Sequence, residues 1–209
     1  MKIQIIDETG IAPADIKTIV DALNYYIPMV TKAWAQPDMV ATTDAGDWKV
    51  YITERNRQIG ALGYHKVENN IPTAYVSHKA NPNLWGRYIK PLVIKGKQVH
   101  APIWQQGLIT VLCHEIAEMI CDPAINNYSA IDLKSRSWLI EVCDHVYGSY
   151  SQSTFNGKIC IFPDVTTPAF YKLGSTAPYS IFHGATAPFT MTAKGYGYYK
   201  DSTGKLIKI

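Results

Sequence analysis

A chain of 209 residues, 47% hydrophobic and 18% charged, is long enough for one substantial core and short for two. Its formal charge of +3 is small and its basic residues are scattered, which excludes the phosphate-neutralising surface of a nucleic-acid binder. No stretch is long and apolar enough to span a membrane, and MKIQIIDETG at the start is too polar for a signal-peptide core, so synthesis in a cytoplasm is expected.

Lys2 to Ile6 alternates weakly and predicts a short strand. Gly10 and Pro13 then break the chain ahead of an amphipathic helix from about Ala14 to Trp34, which Pro28 should kink or divide. Residues 36–47 read as loop. Trp48 to Glu54, WKVYITE, alternates strictly and is the clearest strand, with Gly60 to Lys66 and Thr73 to His78 as expected partners in a small mixed sheet. Tyr88 to Trp104 predicts a hairpin closing on Lys95-Gly96-Lys97, and the basic residues Arg87, Lys90, Lys95 and Lys97 are simplest as its solvated surface.

Beyond Pro123, residues 124–134 read as loop, and Ser137 to Tyr147, SWLIEVCDHVY, as a second helix. On such a helix Glu141 would lie near Asp144 and His145 on one face. From Gly148 the pattern turns to strand and loop: KICIF is a strand, 163–190 is rich in proline turns, and Gly195 to Ile209 predicts a hairpin at Ser202-Thr203-Gly204. The expectation is an α+β fold, with 1–148 as the main domain and 149–209 as a β- and loop-rich extension packed on the same core.

The stretch least explicable by packing is Gly107 to Pro123, GLITVLCHEIAEMICDP. On a helix His114 and Glu118 lie one turn apart on one face, with Asp122 a further turn along and Glu115 roughly 100° to one side. Most other positions are apolar and surround the axis, as in a helix buried on nearly all sides. Buried carboxylates and imidazoles without partners cost several kcal/mol each, so they are paired, shifted in pKa or bound to a metal. The run H-E-x-x-E is one letter from the H-E-x-x-H helix of zinc hydrolases, in which residues i and i+4 hold the ion and the intervening Glu is the base. A carboxylate at 118 is an acceptable ligand but makes the ion a weaker Lewis acid. The plainer alternative is a solvated helix face carrying the pattern by chance. Cys113, Cys121, Cys143 and Cys160 lack C-x-x-C spacing and read as reduced, buried thiols, a four-thiolate zinc site being the sharper alternative.

A buried H-E-x-x helix, with a strand-rich region before it and another Glu after it, resembles the zincin metallopeptidases, most nearly their Glu-zincin branch. The resemblance implies His114, Glu118 and Glu141 as metal ligands, Glu115 as general base, and Asp144 as the carboxylate behind a ligand. The longer pattern H-E-x-x-E-x-x-x-D-P, then E-V-C-D, an F-P strand and a Gly-Tyr-rich tail, is similar to phage-encoded virion-associated proteins with a zincin-like domain. His145 stands where that pattern has Pro, which opens a rival ligand pair, Glu141 and His145. The implied cofactor is zinc or another divalent cation, with a metal-free protein as the alternative.

Two functions follow from the resemblance. In one, the protein is a virion structural component with at most weak peptidase activity, its Tyr- and Pro-rich C-terminal region docking on neighbouring subunits of the particle. In the other it is an active metallopeptidase: Glu115 takes a proton from water, Thr73 to His78 is the edge strand that aligns a polypeptide substrate, and His78 or His183 stabilises the oxyanion. Each lone His is more often a surface or hydrogen-bonded core residue.

Overall fold

The computed structural model describes residues 1–55, 58, 60–89, 93–94, 97–98 and 103–209. The chain opens with β1 (Lys2–Asp7), whose Ile3 and Ile5 face the core, and the Asp7 carboxylate ends it by accepting the Thr9 and Ile11 N–H groups. Helix α1 (Pro13–Ala33) starts on a proline, whose missing N–H costs nothing in a first turn. It runs through Pro28 as one 21-residue helix, undivided. Leu23, Tyr26, Ile27 and Val30 lock the turns on both sides of the proline into the core, and this packing offsets its cost of about 3 kcal/mol.

The segment 36–47, expected as loop, contains β2 (Val40–Thr42), which pairs parallel with β1. The Asn24 amide of α1 clamps it, accepting from the Ala41 N–H at 2.7 Å and donating to the Ala41 carbonyl at 3.0 Å. Next come β3 (Trp48–Thr53), β4 (Gly63–Glu68) and β5 (Ile71–Ser77), giving a mixed five-stranded sheet in the order β2-β1-β3-β5-β4. The first four run parallel. β4 turns back through Asn69 and Asn70, both at positive φ as a tight hairpin requires, and pairs antiparallel with β5. β5, the expected edge strand, is therefore interior, and β4 is the edge.

β6 (Arg87–Ile89) pairs antiparallel with β9 (Ile103–Gln105), and β7 (Val93–Ile94) with β8 (Lys97–Gln98); Lys90, Lys95 and Gly96 of the expected hairpin lie outside the described residues. Helix α2 (Leu108–Cys121) follows. Its first N–H groups donate to the Asn83 and Leu84 carbonyls, and Gly107 before it admits no side chain, because a Cβ there would meet the Trp85 carbonyl carbon at 2.4 Å. Every residue of α2 except His114 is buried. The helix packs on β4 and β5 on one side and on α1 on the other, so sheet and both helices share one core.

Downstream, two expectations fail. Residues 124–134 contain β10 (Tyr128–Ile131), and Ser137 to Tyr147 is not a helix but β11 (Ser137–Leu139), an irregular stretch, and a single 3-10 turn at Asp144–Val146. The reason lies in Asp132, which accepts from the Lys134 and Arg136 N–H groups, the Arg136 guanidinium and the Trp138 indole. These bonds fold 132–136 into a hairpin and hold Trp138 extended.

The remainder is β12 (Tyr150–Phe155) and β13 (Lys158–Pro163), an antiparallel pair, then β14 (Tyr198–Lys200) and β15 (Leu206–Lys208). β13 lies on α2, and Cys160, Phe162 and Val165 enter the core of the N-terminal part. β14 pairs with β11, giving a second sheet in the order β10-β11-β14-β15. The fold is α+β. Among the described residues no helix is long and apolar enough to cross a membrane.

Candidate metal centre

His114 and Glu118 face the same way from α2, as their spacing predicts, with His114 Nε2 3.2 Å from Glu118 Oε1. The same nitrogen lies 3.2 Å from Asp144 Oδ1, delivered by the 3-10 turn. Two ligand atoms on one tetrahedral ion at about 2.1 Å stand about 3.4 Å apart, so each pair taken alone has ligand spacing, but among the described residues Asp144 joins no group of three whose ligand atoms lie within 4.8 Å of one another. Two groups among the described residues bring their ligand atoms within 4.8 Å of one another: His114, Glu118 and Cys143, and His65, Glu115 and Glu118. Glu118 belongs to both.

Glu141, expected as third ligand, reaches Glu118 rather than completing either group, and hydrogen-bonds its carboxylate. Burial, with Glu118 and Asp144 alongside, pushes the Glu141 carboxyl up to about 11, so it stands as the acid. The Cys143 N–H also donates to Glu118 Oε1, at 3.3 Å. Burial would raise Glu118, but the neighbouring His114 and His65 hold its pKa below the usual carboxylate range. Glu115 is displaced upward by burial, against the pull of His65 and His114. Asp144 is raised by burial and by Glu118. In His114 burial, which would lower the pKa, is outweighed by Glu118, Cys143 and Asp144 together, and the imidazolium is favoured.

These groups line a cleft of about 660 Å³ between β4, α2 and the segment 141–147, with Tyr196, Tyr198 and Lys208 of the C-terminal hairpin across its mouth. Among the described residues its lining brings together four carboxyl groups, of which Glu141 stands as the acid, with the imidazoles of His65 and His114. Asp144 Oδ1 is buried with no hydrogen-bond donor aligned on it, His114 Nε2 lying 3.2 Å away. A divalent cation fits this set of imidazole nitrogens and carboxylate oxygens.

The other expected residues go elsewhere. His145 shares no helical face with Glu141: fully buried among Trp138, Phe170 and Tyr171, it contacts the Tyr171 hydroxyl through Nδ1 at 3.0 Å, and burial lowers its pKa to about 4. Asp122 does not enter the cleft; its oxygens accept the Asn126 and Asn127 N–H groups and close the turn after α2. His78 and His183 do not line the cleft. All four cysteines are buried and free, and the metal-competent groups contain Cys143 alone, so the four-thiolate alternative falls.

Sequence reasoning missed His65, Cys143 and Tyr196. His65 did carry a signal, since it shares the inward positions of GYHKVE with Gly63, opposite the core residues Ala74 and Val76. Tyr196 hydrogen-bonds Asp144 across the cleft, and burial with that carboxylate raises its pKa; only tertiary folding brings it there.

Gly63 carries a direct expectation. A Cβ there would lie 2.6 Å from Glu115 Oε1, so the edge strand and this carboxylate are fitted to each other. Gly63→Ala should displace Glu115, cutting any hydrolytic rate by about 10²-fold while costing at most about 1–3 kcal/mol of stability. Steady-state kinetics and urea unfolding of the same preparation check both halves.

Compared with protein families, with curated proteins and with solved structures, the chain finds no match.

Proposed function

We propose that the chain carries a zincin-like metal centre that hydrolyses polypeptide slowly. The observation that carries this reading is the solvent-open cleft in which a buried His-Glu helix, a second acidic segment and the edge strand β4 meet. A bound zinc or similar divalent ion supplies polarisation of a substrate carbonyl and acidification of water. His114, Glu118 and Cys143 are the group that would hold it, with Asp144 Oδ1 beside His114. Glu115, its pKa raised by burial, accepts the proton from the attacking water and returns it to the leaving amine. Among the described residues β4 pairs on one side only, and its other side would offer backbone to an extended chain, while Tyr196, whose hydroxyl bonds Asp144, would turn to donate to the developing oxyanion. The Glu118 carboxylate keeps the ion a modest Lewis acid, hence the low rate.

A second reading, a virion structural component in which the ion only fastens the segments together, is favoured by the hairpin β10–β11. It exposes Ile131 at 64% and Leu133 at 86%, apolar surface suited to a neighbouring subunit.

One experiment separates the two. Protein with zinc, and after chelation, is incubated with unfolded polypeptide while melting is followed. An ion held at about 100 times its Kd adds about 2.7 kcal/mol to folding, so chelation should lower Tm by roughly 5–10 °C. Cleavage lost on chelation and restored by zinc supports hydrolysis; a Tm drop without cleavage leaves the structural reading; neither change refutes a metal centre.

A further inference from the structure

The edge strand brings to the cleft a residue that a single-ion centre at His114 does not use. His65 is buried, with its Nε2 3.1 Å from the Asp122 carbonyl at the C-terminal end of α2. A carbonyl only accepts, so Nε2 bears a proton and donates it there, which fixes the ring with Nδ1 on its other side. Nδ1 faces Glu115 Oε2 at 3.6 Å, with Glu118 as the third member of the group, so the position between them takes either a proton or a cation.

This is the arrangement of a metal-ligating imidazole, whose far nitrogen is fixed by a backbone carbonyl so that the near one is aimed at the ion. The separation suits two ligands of one first-row divalent cation, and a nitrogen with carboxylate oxygens suits Zn²⁺, Co²⁺ or Mn²⁺. Glu118 has one carboxylate for two imidazoles, with His114 Nε2 3.2 Å from its Oε1 and His65 completing its second group. A carboxylate in that place bridges.

We propose that the cleft holds two divalent cations, the second bound by His65 Nδ1 and Glu115 Oε2 and joined to the first through Glu118. The inference rests on the metal-centre reading above and deepens it. Glu115 keeps Oε1, on the Gly63 side, for the proton. Paired ions about 3.5–4 Å apart clamp the attacking and leaving groups of a hydrolysis.

The test is Co²⁺ titration of the chelator-stripped full chain, followed by visible absorption, elemental analysis and electron paramagnetic resonance. Two equivalents should bind, with the resonance attenuated by coupling across the bridge. His65→Ala should bind one. His65→Gln keeps a donor for the Asp122 carbonyl but has no ring nitrogen, and should also bind one, guarding against loss of fold in the alanine variant. One equivalent in the native protein, or two in His65→Gln, overturns the second site and leaves the first standing. No binding at all overturns both.

Discussion

Glu115→Gln should lower the rate of metal-dependent peptide cleavage by about 10²–10⁴-fold while the ion at His114 stays bound. Gln is isosteric, so the packing of Glu115 against Gly63 survives, and His114, Glu118 and Asp144 are untouched. What is lost is a proton acceptor and, where a second ion is bound, its Oε2 ligand. Among the carboxylates of the cleft, Glu115 is the one suited to accept, since Glu118 is pulled low by His114 and His65, and Glu141 is locked as an acid at about 11. Glu115 is raised by burial, which strengthens it as a base. Turnover of a fluorogenic polypeptide, with metal content measured on the same sample, decides the matter. A variant as active as the native protein would remove Glu115 from the chemistry, and one that no longer binds metal at His114 would make it a ligand of that ion.

The largest effect on stability is expected at Asp164, which does not line the cleft. This carboxylate is 1% exposed and accepts five hydrogen bonds, from the Ser149 and Ser180 hydroxyls and from the Val165, Phe182 and Gly184 N–H groups. It thereby ties the loop around 180–184 to the end of β13. Asp164→Ala strands several buried donors, each costing about 1–3 kcal/mol, so a total near 4 kcal/mol and a fall in Tm of roughly 10 °C are expected. Asp164→Asn keeps the volume but turns an amide N–H₂ toward donors, and should recover only part of the loss. Urea unfolding of both variants measures this; a change below about 1 kcal/mol would mean that water replaces the carboxylate.

Where an element is specified by neighbours in sequence, the sequence was a sufficient guide. The 3.6-residue period fixes His114 and Glu118 on one face of α2 wherever that helix sits, and its apolar surround implies burial. β3 and the hairpin of β14 and β15 were legible for the same reason, from strict alternation and from a Ser-Thr-Gly turn. The α+β class followed from these elements.

Long-range packing set the rest, because the competing local choices are nearly equal in energy. Residues 137–147 have a helix-compatible spacing, but Asp132 and pairing with β14 draw Trp138 into a strand, sending Glu141 to the cleft and His145 into an aromatic pocket. Pro28 should have kinked or divided α1, yet burial on both sides of it keeps the helix undivided. Which strand is the edge depends on the order of pairing, so β4 rather than β5 borders the cleft and brings in His65. Local pattern was enough to establish that a helix would carry an imidazole and two carboxylates into a core. The folded chain was needed to show which distant residues, His65, Cys143, Asp144 and Tyr196, meet them there, since such meetings depend on strand pairing and packing between segments far apart in sequence.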